Sequence, residues 1–396
     1  MKKSALFIFG LAICVSCGHR QPQIDRVYEE GVEIVLNHTQ PYRVKGAPVS
    51  LSLEQELAID TERSDLAEKG VVDIWGFEVT SLGDIYVFQS PMRDGKFISK
   101  FDASGRFLRS FAPKGQGPGE IQMPIFHRIT ADEDLSLIDM MTKKLLVFDG
   151  DGAILRVTEV PLDIKGSSLL LQLASGNNLY RKIEWEPGKE SPGLAMIYSL
   201  TDHELRDIKE LDRVVFPQPF SVSRIRLPYP LTCWTVTRDR IYMGNPDKGY
   251  EIRAYDLNGN LVRKIRKEFL AVPFPESKKQ GILKALDSPQ LSPLKSKLDF
   301  PKSSPPFQHL FCDDEGRLYL MTYEAGEKPG EYVFDIFTPD GVFFARASFE
   351  AFLSADLFAP GSPTDSWIIS KKGRLYAIRE KPTGYKELVV YKMMWK

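Results

Sequence analysis

The sequence is short of cysteine, histidine and net charge. Its 396 residues include 4 Cys and 5 His, and 52 basic side chains balance 53 acidic ones to leave a net charge of −1. So few cysteines exclude a fold held by a disulfide framework. Cys233 and Cys312, the two outside the N-terminal segment, are expected as buried thiols, unless neighbouring strands allow one bridge. The balanced charge lacks the basic surplus typical of nucleic-acid binding, so we expect no nucleic acid as a partner.

Long apolar runs are equally scarce, and the clearest one lies at the N-terminus. Ala5–Val15 follows two lysines and is too short to remain in a bilayer as a spanning helix. A basic start followed by a short apolar stretch is typical of a signal peptide, which we assign to residues 1–16.

Cys17 follows this segment in a pattern that resembles the lipobox of bacterial lipoproteins. A valine and a serine precede it and a glycine follows, although Cys14 stands where such motifs usually have leucine. The resemblance implies an exported protein of the bacterial cell envelope, lipid-anchored through Cys17 at the periplasmic side or the cell surface. A secretory signal that happens to contain cysteine is the alternative. Residues 17–46 are mostly polar, and we interpret them as a lipid-anchored tether with at most one short strand, near Val32–Leu36.

A hairpin signature recurs along the rest of the chain. Each copy has an aromatic residue, a polar turn ending in glycine, and apolar residues of a returning strand, which fits a turn that requires a positive φ. The first three copies are about 47 residues apart or about twice that distance, a spacing typical of repeat architectures. They are Phe101–Leu108, Phe148–Leu155, Tyr255–Val262 and, after a longer gap, Phe337–Phe344.

A second motif, two apolar strands joined by a tight turn, divides the chain into six units. The copies are Phe77–Phe88, His127–Asp139, Leu171–Arg181, Cys233–Met243, His309–Met321 and Ser366–Ile378. Two hairpins in each unit give four strands, with almost no helical periodicity between them. The sequence therefore predicts an all-β fold, a six-bladed β-propeller with four-stranded blades over residues 47–396.

Two segments depart from the repeat. The last unit has no room for a fourth strand, so we expect the N-terminal strand Val49–Ile59 to complete the last blade and close the ring. Residues 266–306 form an insertion between blades four and five, in which Pro275–Leu286 fits a short helix. A long loop of this kind is either a flap over one mouth of the propeller or surface decoration.

At these repeats the chain resembles the NHL-repeat-like six-bladed propellers common among exported bacterial proteins. The most telling stretch is Phe107–Asp151, whose glycine-rich segment at residues 115–120 resembles a linker between the first two blades. That segment lacks the Lys-Ser/Thr pair of a phosphate-binding loop. The resemblance implies the architecture and no single function, because such propellers include binding modules, lyases and hydrolases.

In such propellers the first strand of each blade lines the central channel. Aligning the six first strands places two histidines and several aromatic residues there, which we take as candidate ligand-binding residues. They are His127, His309, Trp234, Trp367 and Phe77. Aromatic faces in a channel suit a peptide, sugar or quinone-like ligand. Alternatively, the aromatic residues pack between blades, and the histidines form hydrogen bonds with the backbone or with water.

The two histidines also resemble those of peptidyl-α-hydroxyglycine α-amidating lyase, a six-bladed relative in which inner-strand histidines bind one catalytic zinc. Zinc requires at least three protein ligands, and a third inner-strand histidine is absent from the sequence. Calcium, as in lactonase-type propellers, needs six to eight oxygens. Glu78 and Asp73 lie near the first inner strand, but the other blades have no matching set of Asn and Asp. We therefore predict no cofactor, with zinc or calcium as the alternatives at His127 and His309 or at these carboxylates.

These observations favour a membrane-anchored, exported binding or protein-interaction module over an enzyme. Its partner would be a peptide, a carbohydrate or an envelope protein, in addition to the membrane reached through the lipid. The alternative is a metal-dependent lyase or hydrolase with its site in the central channel.

Overall fold

The structure, a computed structural model, describes residues 24–43, 46, 50–117, 119–130, 132–159, 168–186, 193–202, 206–217, 223–227, 231–350 and 368–396. Trp367 and Cys17, two of the candidate residues, lie outside these ranges.

Six antiparallel four-stranded sheets form the six blades, and each of the first five is built from four successive strands. Blade one comprises Gly76–Val79, Ile85–Phe88, Lys96–Phe101 and Phe107–Pro113. Blade two comprises Pro124–Ile129, Leu135–Asp139, Lys144–Phe148 and Ile154–Glu159. Blade three comprises Ser168–Gln172, Asn178–Glu186, Gly193–Thr201 and Asp207–Pro217. Blade four comprises Cys233–Val236, Ile241–Gly244, Glu251–Tyr255 and Leu261–Lys267. Blade five comprises His309–Cys312, Leu318–Ala325, Glu331–Phe337 and Phe343–Glu350.

Blade six is completed from the other end of the chain. Its strands Ile368–Lys371, Arg374–Glu380 and Lys386–Trp395 are joined by Leu51–Asp60, which pairs antiparallel with the last of them. Both the six-bladed propeller and the closing N-terminal strand are therefore confirmed. A single turn of helix, Ser64–Ala67, leads from the closing strand to blade one.

Apolar side chains between neighbouring blades form the core. One cluster joins blades six and one around Ile59, Phe77 and Tyr376, and another joins blades four and five around Ile252 and Phe337. The first strands of neighbouring blades also contact each other around the centre. Because each blade buries both faces against its neighbours, the ring holds its inner strands at fixed positions.

The recurring hairpins have the conformation that their glycines predict. Gly105, Gly152, Gly259 and Gly341 have φ of 79°, 84°, 80° and 80°. In the first three turns an aspartate that precedes the glycine accepts backbone N–H bonds from residues two and four positions later, for example at Asp256. Glycine is favoured there because a Cβ is costly in the left-handed region.

The segment expected to be a tether is folded over part of its length. Asp25–Glu29 and Val32–Asn37 form a hairpin, and its second strand pairs in parallel with Leu261–Lys267 at the outer edge of blade four. The buried Asn37 amide donates to the carbonyls of Arg266 and Gly341. The strand Val32–Asn37 confirms the short strand expected near Val32–Leu36. The interpretation as a tether was wrong for residues 25–37, because the hairpin adds two strands to a sheet edge that the repeat pattern leaves open.

The insertion packs against the ring. It contains the helix Glu276–Ala285, which confirms the expected short helix, the 3-10 turn Ser292–Lys297, and Leu298–Asp299, which pairs in parallel with Ile225–Arg226. Its Leu286 and Leu294 are buried in the cluster between blades three and four. The Ser304 N–H donates to the Val272 carbonyl at 2.7 Å, so the two ends of the insertion are tied together.

Two further predictions concern the thiols and the membrane. Cys233 is buried, Cys312 is partly buried, and both are free thiols, so the alternative of a bridge between them is excluded. Within the described ranges, no helix has the length and apolar character needed to cross a bilayer.

Candidate ligand-binding sites

His127 is held between blades one and two. Its ring stacks on Phe88, with 3.6 Å between the ring centroids and an interplanar angle of 9°. Its Nδ1 lies 3.4 Å from Glu78 Oε1. A Cβ at Gly76 would lie 2.8 Å from His127 Nε2, so glycine is required at that position for this packing. The first strand of blade two thus presents His127 to the neighbouring blade, where it is 7% exposed.

Arg128 crosses the centre of the ring. Its Nη1 donates to Glu78 Oε1 at 2.9 Å and to the His127 carbonyl at 2.7 Å. Its guanidinium carbon lies 5.8 Å from the centroid of the Trp234 ring, within cation–π range. Because blades two and four are not neighbours, this contact runs through the channel. Arginine and indole side chains therefore occupy part of the space that the sequence assigned to a ligand.

Trp234 and Phe77 are core residues. Trp234 is 6% exposed and packs between blades three and four, and its indole Nε1 has no partner among the described residues. Phe77 is fully buried between blades six and one. The prediction that Phe77 lines the channel was wrong, because its strand turns Glu78, the next residue, toward blade two and leaves Phe77 on the opposite face.

His309 occupies the first strand of blade five and is 8% exposed. Burial lowers the pKa of His309 to about 4, so its imidazole is neutral at pH 7. Its Nδ1 finds no hydrogen-bond partner in the described part of the chain. In the same part of the chain, no group of three or more His, Cys, Asp or Glu side chains is arranged to hold a metal ion.

A cavity of about 290 Å³ lies beneath the insertion. Three parts of the chain enclose it: the N-terminal segment, both ends of the insertion, and blades four and five. The lining residues are Thr39, Gln40, Tyr250, Lys267, Phe269, Leu270, Ala271, Val272, Pro273, Pro305, Pro306, Thr322, Tyr323, Glu324, Asp335 and Arg346. Its volume of about 290 Å³ lies just below the range of about 300–1,000 Å³ that is typical of small-molecule sites.

Asp335 organises the charged wall of this cavity. Its side chain is 1% exposed and accepts hydrogen bonds from the Tyr250 hydroxyl at 2.7 Å and from Arg346 Nε at 2.9 Å. Lys267 Nζ lies 3.2 Å from Asp335 Oδ2 and 4.6 Å from the centroid of the Phe343 ring. Burial, followed by the charge of Asp335, raises the pKa of the Tyr250 hydroxyl, which remains a hydrogen-bond donor.

Aromatic rings form the other walls. The rings of Tyr250 and Phe269 are 6.1 Å apart between centroids, and Phe269 is 42% exposed at the rim. Lys278 of the insertion helix donates to Gln308 Oε1 at 2.8 Å and lies 4.7 Å from the centroid of the Tyr323 ring. Burial lowers the pKa of Lys278 to about 8. Through Lys278, the insertion helix therefore contacts the side of the cavity that Tyr323 forms.

Sequence reasoning placed the insertion correctly but missed the residues of the cavity. The Asp335, Lys267 and Arg346 side chains come from different strands on two blades. In the sequence, each of these three residues looks like any other charged residue in a strand. The one available signal was the presence of Phe269 and Leu270 directly after a strand, at the start of a proline-rich insertion.

Comparison with known proteins agrees with the architecture. Residues 73–223 match the profile of the DUF5128 family, described as a 6-bladed beta-propeller. A search of curated proteins gives no match. Similar solved structures include a protein from Bacteroides fragilis described as exported, with 12% identity over 92% of this chain and 99% of that chain and a TM-score of 0.47.

Two further solved structures have comparable sequence identity, coverage and TM-score. A DUF4221 family member from Bacteroides vulgatus has 12% identity over 88% of this chain and 99% of that chain, with a TM-score of 0.46. Virginiamycin B lyase from Staphylococcus aureus has 10% identity over 87% of this chain and 100% of that chain, with a TM-score of 0.44. The strand order of the chain itself and the family match over residues 73–223 together identify a six-bladed β-propeller.

Proposed function

We propose that the protein is an exported, lipid-anchored propeller that binds a small ligand in the cavity beneath the insertion. The observation that carries this proposal is the cavity of about 290 Å³ itself, enclosed where the insertion meets blades four and five. Convergent polar groups among apolar walls are typical of a ligand site. The central channel supports binding less well, because the Arg128 side chain extends into it and contacts both Glu78 and Trp234.

A panel of small probes tests the binding site. We expect the full-length protein to bind at least one of two probe classes, neutral saccharides or neutral dipeptides, in titration calorimetry. Ala271→Trp, at an exposed position that lines the cavity, should weaken that binding at least tenfold by occupying the entrance. Ala153→Trp, at an exposed turn of blade two, is the matched control and should bind as the wild type does. Binding that is equal in all three proteins would place the ligand elsewhere and refute the proposed site.

Lipid attachment at Cys17 would hold the propeller close to the membrane. The hairpin begins at Asp25, so the connection from Cys17 spans at most about 29 Å even when fully extended. A tether reaching to residue 46 would instead span roughly 100 Å. The docked hairpin therefore keeps the outer edge of blade four near the bilayer.

Removal of the lipidated cysteine tests the anchor. We expect Cys17→Ala to move most of the protein from the membrane fraction to the soluble fraction, because a diacylated residue supplies the stable attachment. Cys233→Ala, which removes a buried thiol of the propeller, should leave the distribution unchanged. Membrane retention of the Cys17→Ala protein would refute lipid anchoring at this residue.

A further inference from the structure

The cavity beneath the insertion carries no net charge. Its ionisable lining residues at neutral pH are two cations, Lys267 and Arg346, and two anions, Glu324 and Asp335. Both cations are paired with Asp335, and Arg346 is also bonded to Glu324. An ionic ligand would lose hydration on entry without meeting an uncompensated opposite charge. The charge balance therefore favours a neutral ligand.

One donor and one acceptor of the Arg346–Glu324 ion pair remain without a partner among the described residues. Arg346 uses Nε for Asp335 and Nη2 for Glu324 Oε1, so its Nη1 has no partner within the described ranges. Glu324 accepts at Oε1, and its Oε2 likewise has none there. Both side chains are partly exposed, at 34% and 39%. A hydroxyl group both donates and accepts, so two adjacent hydroxyls of one ligand can satisfy both free atoms.

The aromatic walls add an apolar surface against which one face of a ligand ring can pack. Tyr250, Phe269 and Tyr323 line the same cavity, and Phe269 with Leu270, 76% exposed, forms its rim. Aromatic faces supply contact area without a charge requirement. A polyhydroxylated ring with an apolar face matches this combination of rings, paired charges and small volume.

We infer that the cavity binds a neutral saccharide, with vicinal hydroxyls on Arg346 Nη1 and Glu324 Oε2 and the sugar ring against Phe269. This inference rests on the proposed function and specifies the class of its ligand. The inference requires that neutral sugars bind more tightly than charged ones. A carboxylate or an ammonium group on the sugar would find no uncompensated opposite charge on the cavity wall.

The test is titration calorimetry of the full-length protein with defined probes. The neutral probes are glucose, galactose, mannose, N-acetylglucosamine, maltose and cellobiose, and the charged ones are glucuronate and glucosamine. We expect at least one neutral sugar to bind at least tenfold more tightly than both charged probes. Equal or tighter binding of a charged probe would overturn the inference. Binding of a neutral dipeptide without any sugar would also overturn it and leave the proposed function standing, whereas binding of neither class would contradict both.

Substitutions of Phe269 and Glu324, with Tyr28 as a control position, distinguish the contacts. Phe269→Ala should weaken sugar binding roughly three- to tenfold, and Phe269→Trp should preserve it, because stacking needs an aromatic face. Tyr28→Ala removes a 72% exposed aromatic on the outer hairpin and should have no effect. Glu324→Gln leaves Arg346 less neutralised, so it should weaken neutral-sugar binding and strengthen glucuronate binding by about tenfold each. Unchanged sugar binding in both Phe269→Ala and Glu324→Gln would overturn the inference.

Discussion

Replacing Asp335 by alanine will lower the free energy of unfolding by about 3–5 kcal/mol, the cost typical of removing one partner from a buried ion pair. Its carboxylate accepts from Tyr250 and Arg346 and lies beside Lys267, whose side chain is only 5% exposed. Without it, a buried ammonium group is left between the rings of Tyr250 and Phe343 with no anionic partner among the described residues. Urea unfolding followed by tryptophan fluorescence measures the change.

The control for this variant is an exposed ion pair. Asp94 is fully exposed and lies 3.4 Å from Lys114, so Asp94→Ala should leave the unfolding curve unchanged. Adding Lys267→Met to Asp335→Ala should recover part of the lost stability, since the uncompensated charge is then removed as well. A loss of less than 1 kcal/mol in Asp335→Ala would contradict the importance of this network.

Acidification will destabilise the protein through His309. Burial lowers the pKa of His309 from its ordinary value of 6.5 to about 4, so between these values the unfolded chain binds a proton that the folded chain does not. The stabilising contribution is complete above pH 6.5 and is lost as the pH falls toward 4. A difference of this size corresponds to about 3 kcal/mol, measured as the change in unfolding free energy between pH 7 and pH 4.

Non-titrating variants isolate this effect from the carboxylates, which titrate in the same range. His309→Gln should reduce the pH-dependent loss by about 3 kcal/mol relative to the wild type, because glutamine does not titrate. His38→Gln, at a partly exposed histidine of the outer hairpin, should retain the loss. Parallel pH profiles for the wild type and His309→Gln would contradict the assignment to His309.

The architecture could be predicted because local sequence patterns specify its turns and strands. A turn that needs positive φ selects glycine, and apolar residues must recur in every strand that packs between two blades. The ends of the chain were equally informative, since Lys386–Trp395 lacks an outer neighbour within its own unit and Leu51–Asp60 supplies it. Each of these inferences needs only a few consecutive residues and the geometry of a strand.

The hub was predicted less well because a first-strand residue can face either neighbouring blade. A difference of one position separates Phe77, which packs toward blade six, from Glu78, which contacts His127 and Arg128 of blade two. Arg128 was not among the candidate residues, yet its guanidinium reaches the ring of Trp234. One strand of the hairpin at residues 25–37 was expected, but its docking on blade four was missed because the pairing partner, Leu261–Lys267, is more than 200 positions away.

By itself, the sequence determined the number of blades, the strands in each blade, the closing strand and the location of the insertion. Only the tertiary structure decided which polar residues meet, and it shifted the candidate site from the histidines of the hub to the cavity beside Asp335. The physical reason is the range of the interactions. Turn and strand preferences act over a few residues. The cavity instead joins a hydroxyl, an ammonium, a guanidinium and a carboxylate from separate segments of two blades, and only packing brings them within hydrogen-bonding distance.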